Sequence, residues 1–346
     1  MKSVRIVLIY PVVLLVAALF PAVATAGSNH RHQHGHAAIP VLLTSGLGSG
    51  FGSTIGPDGA LYVTQPEAGT IARINLQTGT SSTYATGLPQ RFPGVSVGGV
   101  TDVAFSGHTA YALVSVVGAD LGGTATVGLY RLHRHGPPEV VADIGAWSIA
   151  HPPATPFFIP SGVQYALQTW HGGFLVTDGH HNRVLKVTKN GDISEVITFG
   201  NIVPTGLDTH RGRIYLAEAG PVPHNPVDGK VVTFKPGSAV ATDVASGAPI
   251  LTDVEVADSS RSNHHGSRNA DNRGVQVYAI SNGTYSGDPE GSPGLPDTGS
   301  LVNANHSGGF DVVAANLDRP TALELVRGKA YVVTYGGEVW AVSLGR

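Results

Sequence analysis

The chain has 346 residues, no cysteine and one methionine, and only 13% of its residues are charged. With 46 Gly and 23 Pro, this composition excludes long helices and coiled coils and favours short strands joined by turns. The net charge of −3 supplies no basic face for nucleic acid or an anionic membrane surface.

Residues 1–26 read as a secretory signal. Lys2 and Arg5 precede an apolar run from Ile6 to Phe20, and Ala24-Thr25-Ala26 is a small-x-small cleavage site. Its removal leaves 19 bases against 24 acids and no further membrane span, so the expected location is secreted or periplasmic. Without cysteine, a protein in an oxidising compartment must close its fold by strand pairing. Residues 27–38 follow as a His-rich, disordered tail in which His30, His32, His34 and His36 could capture a transition metal.

From residue 39 to 346 a short phrase recurs: apolar or Pro, a hydroxyl residue, a small residue or Asp, then an apolar one. Its hydroxyls are Ser53, Thr101, Ser161, Thr205, Thr252 and Thr321, at spacings of 48, 60, 44, 47 and 69 residues. Propeller blades repeat at about 40–50 residues. Strand-like runs follow each phrase, such as Ala60–Thr64, Ala110–Val114, Gly173–Thr177, Arg213–Ala217 and Ala330–Thr334. The second strand of blade five cannot be placed. Asp58-Gly59 and Asn190-Gly191 mark hairpins. Five outer strands can be counted, and the sixth blade runs out of chain after Glu338–Val342. The missing strand is expected in Ile39–Leu43, which leads into Gly46-Leu47 as Tyr84–Thr86 leads into Gly87-Leu88. The fold expected is therefore all-β, a six-bladed β-propeller whose ring is closed by an N-terminal outer strand on the last blade, and a monomer.

The carrying residues of a resemblance lie across nearly the whole of this region. They are Pro204–Leu207 with Ile214–Glu218, Gly173–Asp178 with Arg183–Val187, Gly291–Pro296, Arg319–Glu324 and Gly337–Trp340. By these the chain resembles the ScyD/ScyE family named for the scytonemin locus. More distantly it is similar to the NHL-repeat, SMP-30/gluconolactonase and strictosidine-synthase propellers. The resemblance implies an exported propeller and motifs that specify blades rather than chemistry. Gluconolactonase-type relatives hold a divalent metal with Glu, Asn and Asp, one Asn standing in a Pro-Asn-Gly-Leu phrase; here that position is Thr205, and the place matched to it in blade three is Ser161. Strictosidine-synthase-like chains carry a Cys pair that is absent here.

The six hydroxyls are expected to line the central channel, either holding backbone groups or facing a polar lumen. Asp102 and Asp253 follow two of them in opposite blades and could hold Ca²⁺ or Mg²⁺ between them. A second acidic set ends the second strands, Glu67, Asp178 and Glu218, with Asp178 followed by His180-His181. The polar loop Ser259–Arg273, with His264-His265, and the stretch Gly283–Gly309 are long, and long loops on a rigid scaffold carry recognition. No nucleophile elbow, Walker loop or His-Glu-x-x-His is present. The expectation is a binding or scaffold protein for a small molecule, glycan or protein; the alternative is a metal-dependent hydrolase or lactonase.

Overall fold

The computed structural model describes residues 37–134, 136–221, 228–259, 274–287 and 291–345. His30, His32, His34 and His36, the leader, and all of the loop 259–273 except Ser259 lie outside these residues. The chain from Ala37 onward builds six antiparallel four-stranded sheets, each a blade.

Strand β1 (Val41–Thr44) precedes the first blade in sequence. Blade one contains β2 (Ser53–Ile55), β3 (Leu61–Gln65), β4 (Thr70–Ile74) and β5 (Ser81–Ala85). Blade two contains β6 (Gly99–Ser106), β7 (Thr109–Ser115), β8 (Gly128–Arg131) and β9 (Glu139–Asp143). Blade three contains β10 (Gln164–Trp170), β11 (Gly173–Asp178), β12 (Arg183–Val187) and β13 (Ile193–Thr198). Blade four contains β14 (Pro204–His210), β15 (Arg213–Glu218), β16 (Lys230–Phe234) and β17 (Thr242–Ser246). Blade five contains β18 (Leu251–Asp258), β19 (Val275–Ser281), β20 (Gly299–Ala304) and β21 (Phe310–Leu317). Blade six contains β22 (Pro320–Val326), β23 (Lys329–Thr334) and β24 (Val339–Ser343), and β1 completes it by pairing Val41 with Ala341 and Leu42 with Trp340.

The ring therefore closes as the sequence suggests. The second strand of blade five is Val275–Ser281, far down the chain because the long connection from Asp258 separates it from its hairpin partner. The stretch Gly283–Gly309 is not one loop, since β20 runs through it.

Second strands are buried on both faces, as in Leu61–Thr64 and Phe174–Asp178, which is why they read as near-continuous apolar runs. Outer strands expose much of their length, as in Ser81–Ala85. Six apolar clusters, one between each pair of adjacent blades, hold the ring. Tyr62 and Tyr111 illustrate the pattern: each faces a neighbouring blade, Tyr62 against Phe105 at 4.7 Å and Tyr111 against Phe174 at 4.7 Å between ring centroids. One short helix, α1 (Ile144–Ala150), links blades two and three, capped by Asp143 accepting from the Ala146 N–H at 2.8 Å. Among the described residues no helix is long and apolar enough to cross a membrane.

Closure predicts a truncation result. A chain beginning at residue 37 should melt cooperatively, whereas one beginning at Ser45 lacks β1 and should lose most of that stability and aggregate through the exposed edge of β24. Differential scanning calorimetry of the two chains checks this; equal melting temperatures would show that β1 is dispensable.

Candidate functional site: the plugged axial channel

Inner strands run along the propeller axis, and each leaves one edge facing the channel with no strand to pair with. Side chains take over that pairing. Hydroxyls satisfy carbonyls: Thr205 Oγ1 donates to Leu251 O at 2.9 Å, Thr252 Oγ1 to Pro320 O at 3.1 Å, and Thr321 Oγ1 to Gly50 O at 3.3 Å, each reaching the next blade. Carboxylates satisfy N–H groups. Asp102 accepts from Val103 N (2.8 Å) and from Leu167 N in blade three (2.6 Å). Asp208 accepts from Thr209 N (2.6 Å) and from Val256 N in blade five (2.9 Å), and Asp253 from Val254 N (2.8 Å) and from Leu323 N in blade six (2.8 Å).

Strand register corrects the alignment of two phrases. Thr321 bonds to the carbonyl of Gly50 just as Thr252 bonds to that of Pro320, so the residue of blade one equivalent to Thr321 is Phe51, not Ser53. In blade three Gln164 opposes Asp178 as Pro204 opposes Glu218, which makes Tyr165, not Ser161, the equivalent of Thr205. Ser53 lies two residues further along its strand, on the channel wall, where its hydroxyl reaches Glu324 Oε1 at 3.4 Å. Ser161 lies in the loop before β10, buried and with no partner for its hydroxyl. Where an aromatic replaces the hydroxyl residue, the hydroxyl moves to the second strand: Thr64 Oγ1 accepts from Gly52 N and Thr177 Oγ1 from Ala166 N, both at 2.9 Å.

The consequence is a plug. Phe51 and Tyr165 meet with ring centroids 4.9 Å apart, and both border two separate spaces. One space, at the start of the inner strands, is a mouth pocket of about 80 Å³. Its walls are mostly apolar, including Val97, Val163, Val203, Ala219 and Ile250, with Asn282 and His180 among the polar groups. Val203 and Ile250 are held at φ of 51° and 44°, left-handed values that β-branched residues rarely adopt and that concentrate at functional sites. Exposed Val95, Phe158 and Leu295 lie beside the lining residues Ser96, His180 and Pro293. Asn282, a sequon residue, is only 5% exposed and donates to Pro320 O at 3.0 Å, so it has no room for a glycan.

On the other side of the plug is a chamber of about 200 Å³ lined by Asp102, Asp208, Asp253, Glu255 and Glu324, with Ser53, Thr54 and Gln168. No Lys, Arg or His is among its described lining residues. Burial is the main cause that pushes all five carboxyls up, and repulsion from neighbouring carboxyls adds to it for Asp102, Asp253, Glu255 and Glu324; Asp253 reaches about 7. Peptide N–H groups partly offset this for the three Asp. Asp208, Glu255 and Glu324 stand three residues past the ring hydroxyl positions, outside the recurring phrase that marks the axis in the sequence.

Asp102 feels the charge of Asp253 inside the chamber, with each carboxylate already holding two peptide N–H groups. Among the described residues, no three His, Cys, Asp or Glu side chains converge to hold a metal. Thr205, at the position matched to a metal-binding amide, turns its hydroxyl to Ala217 O and Leu251 O, and the blade-three equivalent is a tyrosine. The residues present thus do not fit the gluconolactonase metal set.

The second acidic set is scattered. Exposed Glu67 pairs with Arg91 at 2.5 Å. Asp178 is wholly buried in a knot with Ser148 Oγ (3.3 Å), Arg183 Nε (3.1 Å) and the Val163 N–H (3.1 Å). Glu218 is buried, which pushes its carboxyl up to about 7, with Lys230 3.7 Å away. None of the three lines the mouth pocket or the chamber. His180 and His181 diverge, one bordering the mouth and the other turned to Ile159 O at 3.1 Å.

No protein-family model matches the chain, and no curated protein matches its sequence. Solved structures do. A gluconolactonase from Xanthomonas campestris superposes with a TM-score of 0.59 at 10% identity, covering 89% of this chain and 90% of that one. The PQQ-bound aldose sugar dehydrogenase from Streptomyces coelicolor gives 0.58 at 14% identity, over 88% and 96%. A chain of the nidogen/laminin complex gives 0.53 at 14% identity, over 82% and 89%. At these identities the likeness shows the fold alone; functions so different on one ring leave the site to decide.

Two substitutions separate structural from free carboxylates. Asp253→Ala strands the N–H groups of Val254 and Leu323 and should cost roughly 2–6 kcal/mol, at ~1–3 for each unsatisfied group. Glu255→Gln removes a carboxyl whose ionisation burial opposes, but no hydrogen bond from a described residue, and should stabilise the protein at pH 8. Groups whose carboxyls are raised on folding hold protons that the unfolded chain has shed, so stability should fall as pH rises from the ordinary carboxylate range through about 7, the value for Asp253. Melting temperatures from pH 5 to 8 check the sign: wild type should decline, and Glu255→Gln should decline less.

Proposed function

We propose that the chain is an exported binding protein of ScyD/ScyE type, whose mouth pocket takes a compact apolar group of its ligand, rather than a hydrolase working at the axis. The Phe51–Tyr165 plug carries this reading. It stands between the mouth and the acidic chamber, since both rings border the two spaces, and it makes the floor of a pocket whose walls are mostly apolar. Apolar walls with a few fixed polar groups are the usual composition of a ligand pocket. Asn282 supplies such a group, fixed by donating to Pro320 O and accepting from Gly294 N at 2.7 Å. The pocket's volume of about 80 Å³ suits one branched aliphatic or small ring substituent, with Phe158 and Leu295 on the rim to cover more of a ligand.

A thermal-shift and calorimetric screen of the chain from residue 37 tests this, using aromatic and branched aliphatic acids, alcohols and amides. Binding of apolar-substituted compounds that falls at least tenfold in Ala219→Phe, with folding retained, is the expected result. A pH-stat assay with simple δ-lactones and added Ca²⁺ runs beside it. Lactone turnover that survives Ala219→Phe and vanishes in an Asp102→Asn variant that retains its fold would overturn the binding reading in favour of the channel hydrolase.

A further inference from the structure

The acidic chamber is a second concave site, on the other side of the Phe51–Tyr165 pair from the mouth, and the binding reading above makes no use of it. Its five carboxyls do not all have the same task. Asp102, Asp208 and Asp253 join one blade to the next through peptide N–H groups. Glu324 has one long hydrogen bond, from Ser53 Oγ at 3.4 Å. Glu255 has none from any described residue; it is half-buried, desolvated by the protein around it, and borders the chamber. A carboxylate buried without a partner is costly, and the ring does not need Glu255 to hold its strands. Both glutamates occupy the same strand position in adjacent blades, Glu255 opposite Tyr278 and Glu324 opposite Tyr331, so they border one corner of the chamber.

We propose that this chamber is a binding site for a primary alkylammonium ligand, its –NH₃⁺ group shared between Glu255 and Glu324 and its alkyl chain laid against the rings of Phe51 and Tyr165. The chemistry of the lining favours an ammonium over a metal ion. Ca²⁺ needs six to eight oxygens converging at 2.3–2.6 Å, and the described acidic side chains do not converge in that way. An ammonium group instead carries three N–H donors at ordinary hydrogen-bond length, which suits carboxylates spread around a wall with Ser53, Thr54 and Gln168 between them. The aromatic floor can add a cation–π contact. No described cation lines the chamber to compete for the glutamates.

Binding moves a proton. The groups facing the ammonium are Glu255, Glu324, Asp102, Asp208, Asp253 and the Tyr165 phenol, all of them held toward their neutral forms by burial. His210, which bears on Asp208, is occupied with Asp258 at 2.9 Å. The ligand enters already protonated, a carboxylic acid of the chamber gives its proton to solvent, and a carboxylate–ammonium pair remains. Affinity should therefore rise with pH until the ligand's own amine begins to deprotonate.

Isothermal titration of the chain from residue 37 with 1,4-diaminobutane is the experiment. Saturable binding is expected, with a heat at pH 6.5 that varies with the ionisation enthalpy of the buffer, showing proton release, and with at least tenfold loss of affinity in Glu255→Gln Glu324→Gln. Tetraethylammonium, which has no N–H, and 1-butanol should bind at least tenfold more weakly. The buffer dependence is read on the wild-type chain, so it stands even if the double variant folds poorly. No saturable heat, unchanged affinity in a folded double variant, or displacement of the diamine by equimolar Ca²⁺ or Mg²⁺ would overturn the proposal. None of these results depends on whether the mouth pocket is occupied.

Discussion

Six inner strands face one another across the axis, and not one of them can pair with another. Each presents a row of peptide groups to a lumen only a few residues wide, and those groups must find partners or face water in a confined space. Hydroxyls answer the carbonyls and carboxylates answer the N–H groups, nearly always from the blade before. The side chains that satisfy the edge are therefore also the ones that join the ring. This places acids deep in the protein for structural reasons, and their mutual repulsion follows from the architecture. Gly52 and Gly206 belong to the same arrangement: a Cβ at either would run into Asp102 or Asp253 of the next blade. Around the ring this position reads Gly52, Asp102, Ala166, then Gly206, Asp253, Ala322, the same order of three repeated once.

The second half of that repeat keeps a hydroxyl at every ring position, Thr205, Thr252 and Thr321, while the first half has Phe51 and Tyr165 on either side of Thr101. The two halves are alike in how their strands are joined and unlike in what they put on the axis. Replacing two threonines by aromatics turns a polar tube into two closed-ended spaces of opposite character. The backbone accommodates this because Thr64 and Thr177 on the second strands take over the lost hydroxyl contacts. Strand joining and axial chemistry are thus separable.

Much of the architecture was legible in sequence because a blade is short and locally patterned. Tyr62, Tyr215, Tyr278 and Tyr331 recur within buried second strands, and the orphan strand at residues 41–44 could be found by counting. The second strand of blade five escaped because the connection beyond Asp258 breaks the spacing that identified the others. The axial residues were harder to read. Ser53-Thr54-Ile55 and Ser161-Gly162-Val163 imitate the phrase that marks the axis, but they are shifted from it by two and four residues. A propeller repeat is set by strand pairing, and a composition match cannot see a bulge. The signal that could have corrected it was on the partner strand: Thr64 and Thr177 stand where Leu113, Ala217, Ile280 and Val333 are apolar. Glu255 and Glu324 carried a plainer signal, a second polar position at strand period past the phrase, which becomes informative only once the register is known.

Closure by β1 has a mechanical side. Val41 pairs with Ala341 near the end of β24, and the two strands are antiparallel, so the chain before Val41 and the chain after Ser343 leave the sheet at the same end, side by side. Tension applied between them does not load the hydrogen bonds of that pair together in shear. It peels them apart one after another, as a zipper opens. A ring held by six apolar seams against heat and denaturant is thereby open to a small force applied through its ends, and the blade that would yield first is the sixth.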